Sequence, residues 1–392
     1  MRCLRCQNED PRFFAFDQGT WYCRKCIAFG RLNADTPPPK PVLSRCVFEG
    51  QPQLAYELTP NQKKASHEAY TALTQGKDVL VYAAAGAGKT EMTFESITNY
   101  LHAGKKVCFA ISRRQVVLEI ALRLAQAFPT LSVIAVCEGH TKVLDADLIV
   151  CTIHQLYRYP DCFDLLILDE LDAFPFVGDS VLQALADGCC HGQRLLLSAT
   201  PDPESLEKIE AGKMVLVQLF ERPHHHPVIV PRVYTLSKGL QLLLAFVHIQ
   251  RFVKANKQVL LFVPRRRDIR WLVPLFNLAF TAKGIHSGSA DKDSVLDAFR
   301  AREFPVLLAT TLLERGITVP SVQVVVLFGD HIVFTAASLI QIFGRAGRSF
   351  ADPRGEGICL CQKKTASIRE CVRQLEYMNR CVYGADWRRT TK

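Results

Sequence analysis

Three short segments carry residue types suited to phosphate chemistry. Residues 83–90 read Ala-Ala-Ala-Gly-Ala-Gly-Lys-Thr, between the apolar run Val79–Tyr82 and the helix candidate Glu91–Leu101. A strand, a small-residue loop and a helix start form a cradle of backbone N–H groups for phosphates. Gly86 and Gly88 let that backbone curl, with Ala87 between them. Lys89 places a cation against the β- and γ-phosphates, and Thr90 offers a hydroxyl to Mg²⁺. Downstream, Asp164-Leu-Leu-Ile-Leu-Asp169 is an apolar strand ending in carboxylates. Asp169 is placed to hold Mg²⁺, usually through water, and Glu170 to orient the attacking water. Gln341-Ile-Phe-Gly-Arg-Ala-Gly-Arg348 adds Arg345 and Arg348, fingers able to reach a γ-phosphate across a cleft. Each segment alone has a plain reading: a turn entering a helix, a solvated strand end, surface arginines. In this order they predict nucleotide hydrolysis, with Lys89, Asp169, Glu170, Arg345 and Arg348 as its catalytic groups.

A second chemistry lies at the front. Cys3-x2-Cys6 and Cys23-x2-Cys26 are two knuckles, each able to turn two thiolates toward one tetrahedral centre. All four ligands are cysteines, which predicts a structural zinc site with no open position. The segment between them, residues 12–22, alternates as a hairpin would, and so small a unit needs the metal to fold. Arg2, Arg5, Arg12, Arg24, Lys25 and Arg31 surround Phe13, Phe14, Phe16, Trp21 and Tyr22. Such a mixture suits stacking on bases, and equally suits a minimal core for the module.

These sites need elements to hold them. A chain of 392 residues is too long for one ordinary core. The expected organisation is a zinc module over 1–35, a Pro-rich linker over 36–57, a first lobe over 58–221, an interlobe linker over 222–231 and a second lobe over 232–392. In the first lobe, strand candidates (Val79–Tyr82, Val107–Ile111, Val133–Val136, Leu148–Cys151, Leu165–Leu168, Leu195–Leu197, Met214–Leu219) alternate with helical stretches. The pattern restarts after Arg222-Pro-His-His-His-Pro227, a run better read as a loop than as a metal site. Strand-helix alternation in both halves predicts an α/β fold with two parallel-sheet lobes. No apolar run approaches the roughly 20 residues that span a bilayer, and the start has no apolar secretion core, so residence in the cytosol is expected. The eleven cysteines outside the knuckles lie in or near apolar runs and are expected as small buried hydrophobes. The net charge of +10, from 48 basic and 38 acidic residues, favours a polyanionic partner.

The motif series resembles superfamily 2 DEAD-like helicases over about residues 58–362, whose RecA-like lobes it would share. The variant Ala-x-x-Gly-x-Gly-Lys-Thr is one associated with that superfamily. Leu58-Thr-Pro-Asn-Gln62 resembles the segment whose Gln62 reads adenine. Thr152-Ile-His-Gln155 resembles the first-lobe contact to nucleic-acid backbone, Ser198-Ala-Thr200 the coupling motif, and Thr310-Thr-Leu-Leu-Glu-Arg-Gly316 a second-lobe cleft motif. More narrowly, the leading four-cysteine module, Asp169-Glu-Leu-Asp-Ala-Phe-Pro-Phe176 and the second-lobe motif running on to Thr318 are similar to the ComFA family of Gram-positive bacteria. That resemblance implies an ATP-, Mg²⁺- and Zn²⁺-dependent protein, stimulated by single-stranded DNA at the cytoplasmic face of the DNA-uptake pore. It also implies ComFC, the ComEC channel and DprA as partners. Gly316-Ile-Thr318 lacks the Asp that many relatives carry there, which favours pulling one strand over separating two.

Arg113 and Arg114, after Val107–Ile111, are candidate phosphate contacts, with Thr152, His154 and Thr310. Solvated charges are the plain alternative for the arginines. Three other readings stay open: a replication-restart or RNA-remodelling helicase, a nucleotide-switched DNA-binding scaffold, and a nuclease or restriction motor subunit.

Overall fold

The computed structural model describes residues 1–171, 176, 178–286, 288–289, 291–311, 319, 321–350 and 352–389. Residues 172–175 and 312–318, on which parts of two quoted motifs fall, lie outside these. The chain forms two compact units, residues 1–83 with 88–219, and residues 84–87 with 220–392.

The chain opens with the hairpin β1 (Phe14–Asp17) and β2 (Thr20–Cys23), antiparallel with Phe14 opposite Cys23 and Phe16 opposite Trp21. The rest of the first unit is built from α1 (Pro60–Thr74), β3 (Asp78–Ala83), α2 (Lys89–Met92), α3 (Phe94–His102), β4 (Val107–Ile111), α4 (Arg114–Ala127), β5 (Val133–Val136), β6 (Leu148–Thr152), β7 (Phe163–Asp169), α5 (Ser180–Gly188), β8 (Cys190–Ser198), α6 (Pro203–Glu210) and β9 (Met214–Leu219). Its sheet runs β5-β6-β4-β7-β8-β3-β9 with every pair parallel. The central strands are buried along their whole length, as in Val107–Ile111 and Leu148–Thr152. Unbroken apolar strands are what a sheet covered on both faces demands.

The second unit repeats the scheme with β10 (Arg232–Thr235), α7 (Lys238–Lys254), β11 (Gln258–Phe262), α8 (Arg266–Asn277), β12 (Ala282–Ile285), α9 (Lys292–Arg300), β13 (Val306–Ala309), β14 (Val322–Val326), α10 (Ala336–Phe343), β15 (Gly357–Cys361) and α11 (Ala366–Tyr383). Its parallel sheet runs β10-β15-β14-β11-β13-β12.

Residues 36–57 contain no helix or strand. They are nonetheless held along the first unit by specific bonds. Lys40 pairs with Asp161 at 2.6 Å and Arg45 with Asp164 at 2.8 Å. The Ser44 N–H donates to Asp145, while its carbonyl accepts from the buried Lys106 ammonium. Phe48 is buried, its ring edge-on to Phe128. The segment is a strap.

Several local expectations are corrected. The helix expected over 91–101 is two, broken at Thr93, whose hydroxyl donates to the Thr90 carbonyl. The edge strands β10 and β12 are additions; their mixed exposure hid them from an apolar-run reading. Cys46 is only half-buried and Cys381 is exposed, unlike the other cysteines. The run His224–His226 forms no helix or strand, consistent with the loop expected there, and His225 bonds Glu221. No described helix is long and apolar enough to cross a membrane.

Candidate nucleotide, metal and nucleic-acid sites

The sheet register decides what meets at the carboxyl ends of the first unit's strands. Ile111 lies opposite both Thr152 and Asp169, Asp169 opposite Leu197, and Tyr82 opposite Ser198. Four motifs far apart in the sequence therefore end on one sheet edge. In open parallel sheets that edge is where ligands bind.

The phosphate loop leaves β3 there. Gly86 and Gly88 both have φ of 83°, a left-handed conformation that glycine adopts freely. Lys89 and Thr90 open α2, whose N-cap is Gly88. The Lys89 ammonium stands 3.9 Å from Asp169 Oδ1, and both side chains are largely buried. An ammonium, a buried hydroxyl at Thr90 and a carboxylate thus share one small region. Glu170 has φ of 59°, and its N–H donates to Asp169 Oδ1 at 2.8 Å. A left-handed glutamate is strained backbone, of the kind that clusters at working sites. Residue type alone does not reveal it.

Gln62 is fully buried and doubly engaged. It sits at the third position of α1, where it and Thr59 form a reciprocal capping box. Thr59 Oγ1 accepts from the Gln62 N–H, and Gln62 Oε1 accepts from the Thr59 N–H at 2.9 Å. Its amide presses on the phosphate loop: a Cβ on Gly88 would lie 2.2 Å from Gln62 Nε2. Thr59-x-x-Gln62 is a capping signature that residue types alone make legible.

The four cysteine sulfurs all lie within 4.8 Å of one another, and all four residues are buried. Cys3 and Cys26 are 3.6 Å apart, Cys6 and Cys23 3.7 Å. Zn–S bonds of about 2.3 Å in a tetrahedron require sulfurs about 3.8 Å apart, so the set fits zinc. These distances are far beyond the roughly 2 Å of a disulfide. As thiols the sulfurs compete for protons. Hydrogen bonding to Cys3 drives Cys26 upward, while Cys3 is driven down, first by Cys26. A divalent cation relieves that conflict. Among the described residues this is the one group of three or more metal-ligating side chains. Of the module's aromatics, only Phe14 is buried, whereas Phe13, Phe16 and Trp21 are exposed. The minimal-core reading therefore holds for Phe14.

The candidate nucleic-acid contacts of the first unit follow adjacent strands, β4 and β6. Arg113 caps α4 and Arg114 begins it, with Arg114 Nε donating to the Glu138 carbonyl at 2.9 Å. Thr152 is buried and precedes a 3-10 turn, Ile153–Arg158. His154 lies in that turn, and burial lowers its pKa.

In the second unit, Thr310 is half-buried directly after β13. Arg345 is buried and Arg348 half-buried in the loop that follows α10, with Arg348 Nε donating to the Gly344 carbonyl. Arg222 was not anticipated. It is 1% exposed, and its guanidinium donates to the carbonyls of Gly344, Ala346 and Gly347 at 3.2, 3.1 and 2.9 Å. Burial pulls its pKa down to about 9.

Two family models match: DEAD/DEAH box helicase over residues 59–209 and the helicase conserved C-terminal domain over 240–350. The first implies ATP and Mg²⁺. Among solved structures, S. cerevisiae Dbp5 bound to RNA and ADP BeF3 superposes with a TM-score of 0.58 at 16% identity, covering 85% of this chain and 96% of that one, a likeness of fold. Competence protein ComFA of Streptococcus pneumoniae is 32% identical, covering 96% of this chain and 90% of the relative. Competence protein ComFA of Bacillus subtilis is also 32% identical, over 96% and 85%. With RecA-like parallel-sheet lobes, a phosphate loop beside a strand-end aspartate and a leading four-cysteine cluster, the chain belongs to the ComFA family of competence-associated superfamily 2 ATPases.

Proposed function

We propose that this ATPase is a motor that pulls single-stranded DNA inward during natural competence. The observation that carries the reading is the approach of Lys89 to Asp169 at the sheet edge, in a chain of the ComFA family. Bound Mg²⁺, held by Thr90 and Asp169, would neutralise charge on the β- and γ-phosphates. Lys89 pairs with those phosphates, and Gly86, Ala87 and Gly88 offer backbone N–H groups. Glu170 orients the attacking water. Gln62 would read the base, and its capping bonds stiffen the loop. We assign Arg345 and Arg348 the finger role, which makes hydrolysis depend on lobe closure.

Arg113, Arg114, Thr152, His154 and Thr310 would contact the strand through its backbone, so sequence preference is weak. Cys3, Cys6, Cys23 and Cys26 hold a structural zinc. The family resemblance supports work at the cytoplasmic face of the membrane, with ComFC, ComEC and DprA as partners. The test is translocation. Purified protein on an oligonucleotide carrying biotin-bound streptavidin should displace the streptavidin in one direction, in the presence of ATP. Separation of a forked duplex without such displacement would move the reading to a restart-type helicase. ATP-dependent change in DNA affinity with negligible turnover would move it to a switched scaffold.

A further inference from the structure

The four-cysteine cluster is not an outlying knob. Its sulfurs belong to the same apolar cluster as Leu156, Tyr159 and Leu182, and that cluster runs under the turn Ile153–Arg158. Two side chains beside the metal ligands reach the turn itself. Phe29 ends the short 3-10 turn Ile27–Phe29, which starts immediately after Cys26. Its ring lies 5.2 Å from the Tyr157 ring and 6.4 Å from that of His154. Arg5 stands between Cys3 and Cys6. Its guanidinium sits 6.0 Å over Tyr157 and donates to the Gly30 carbonyl at 2.7 Å, tying the two knuckles together. Arg158 covers Tyr157 at 4.8 Å.

Turns this short carry few bonds of their own. Thr152, which caps this one, makes no side-chain capping bond. The turn holds one side-chain bond of its own, Arg158 Nε to Gln155 Oε1, and buries Ile153 and Leu156 in the apolar cluster; Phe29 and Arg5 pack against its Tyr157 and His154 from the cysteine module. Both are fixed relative to the cysteines by only a few bonds of backbone. A tetrahedral metal site sets the angle between the two knuckles, and through them the position of His154.

We propose that the four-cysteine module is a brace for the nucleic-acid contact turn. Phe29 and Arg5 act as positioning residues, so metal loading and affinity for single-stranded nucleic acid are coupled through the packing of Tyr157 and His154. The DNA half of this inference rests on the proposed function.

Removing a cysteine could unfold the module and show nothing more, so the test is Phe29→Ala in the full-length protein, with Phe29→Tyr beside it. Zinc content, basal ATP hydrolysis without nucleic acid, amide hydrogen exchange over residues 152–159, and binding of fluorescein-labelled oligo-dT are measured. Phe29→Ala should keep its zinc and its basal turnover, exchange faster over the turn, and bind oligo-dT about three- to tenfold more weakly, the size set by one aromatic contact. Phe29→Tyr should match the wild type in exchange and binding. Unchanged exchange in zinc-loaded Phe29→Ala overturns the brace. Faster exchange with unchanged oligo-dT affinity overturns the coupling. A wild type that binds no oligo-dT refutes the DNA reading instead, and the exchange result still decides the brace.

Discussion

Gly88→Ala should do more harm than the loss of one hydrogen atom implies, and Gln62 should be the reason. The residue sits at φ of 83°, where an L side chain costs about 1–2 kcal/mol. The new Cβ would also lie 2.2 Å from Gln62 Nε2. A free glutamine would swing aside, but this one is anchored because its Oε1 accepts from the Thr59 N–H. Ejecting it breaks the capping box, worth about 1 kcal/mol. The single substitution should therefore cost about 2–3 kcal/mol. Gln62→Ala alone should cost about 1 kcal/mol, already giving up the box. In that background Gly88→Ala should cost only its backbone strain. The double-mutant cycle should thus show a coupling of about 1 kcal/mol. The assay is urea denaturation of the four proteins, followed by far-UV circular dichroism, with binding of a fluorescent ATP analogue in parallel. The analogue should bind more weakly to Gly88→Ala, and the double variant should not recover, because it also lacks Gln62 at the base. Additivity within about 0.5 kcal/mol, the ordinary result for sites without contact, would refute the argument.

Other outcomes follow from the same geometry. Lys89→Ala should abolish ATP turnover while part of the DNA binding survives; undiminished hydrolysis would remove Lys89 from the phosphate loop's chemistry. Arg222→Leu should destabilise the second unit by about 3 kcal/mol, because carbonyls of the loop bearing Arg345 and Arg348 lose a buried cationic donor; an unchanged melting temperature would contradict that role. The pair Cys23→Ser with Cys26→Ser should lose zinc and lower the melting temperature of the first unit, since the sulfurs lie in its apolar cluster; loss of zinc without a shift would make the metal dispensable. Burial holds His224 down to about 4. The unfolded chain, with histidine near 6.5, then binds more protons between these values. Stability should fall as pH drops from about 6.5 toward 4, and His224→Gln should flatten that fall in a pH series of urea midpoints.

What the sequence disclosed depends on how local each feature is. The phosphate loop, the strand-end carboxylates and the cysteine knuckles were legible because their chemistry needs fixed residue types at fixed short spacing. Central strands were legible because burial on both faces leaves apolar runs such as Val107–Ile111. Edge strands were not, since Arg232–Thr235 is exposed or half-buried throughout and Ala282–Ile285 mixes exposed and buried positions. The strap over 36–57 reads as a Pro-rich spacer. Its attachment rests on Lys106 meeting Ser44 and Asp145, and on Arg45 meeting Asp164, pairings no local pattern encodes. Arg222 is the same case: among many arginines, nothing in sequence marks the one buried against loop carbonyls. The left-handed Glu170 is a backbone fact, invisible in residue type. Gln62 was legible twice over, and base recognition displaced its capping role.

The central claim is that hydrolysis serves single-stranded DNA. ATP turnover by the purified chain, alone and with single-stranded DNA, duplex DNA or RNA, tests it most directly. Single-stranded DNA should stimulate turnover strongly, well above the other two. Stimulation mainly by RNA or duplex, or turnover indifferent to nucleic acid, would contradict it.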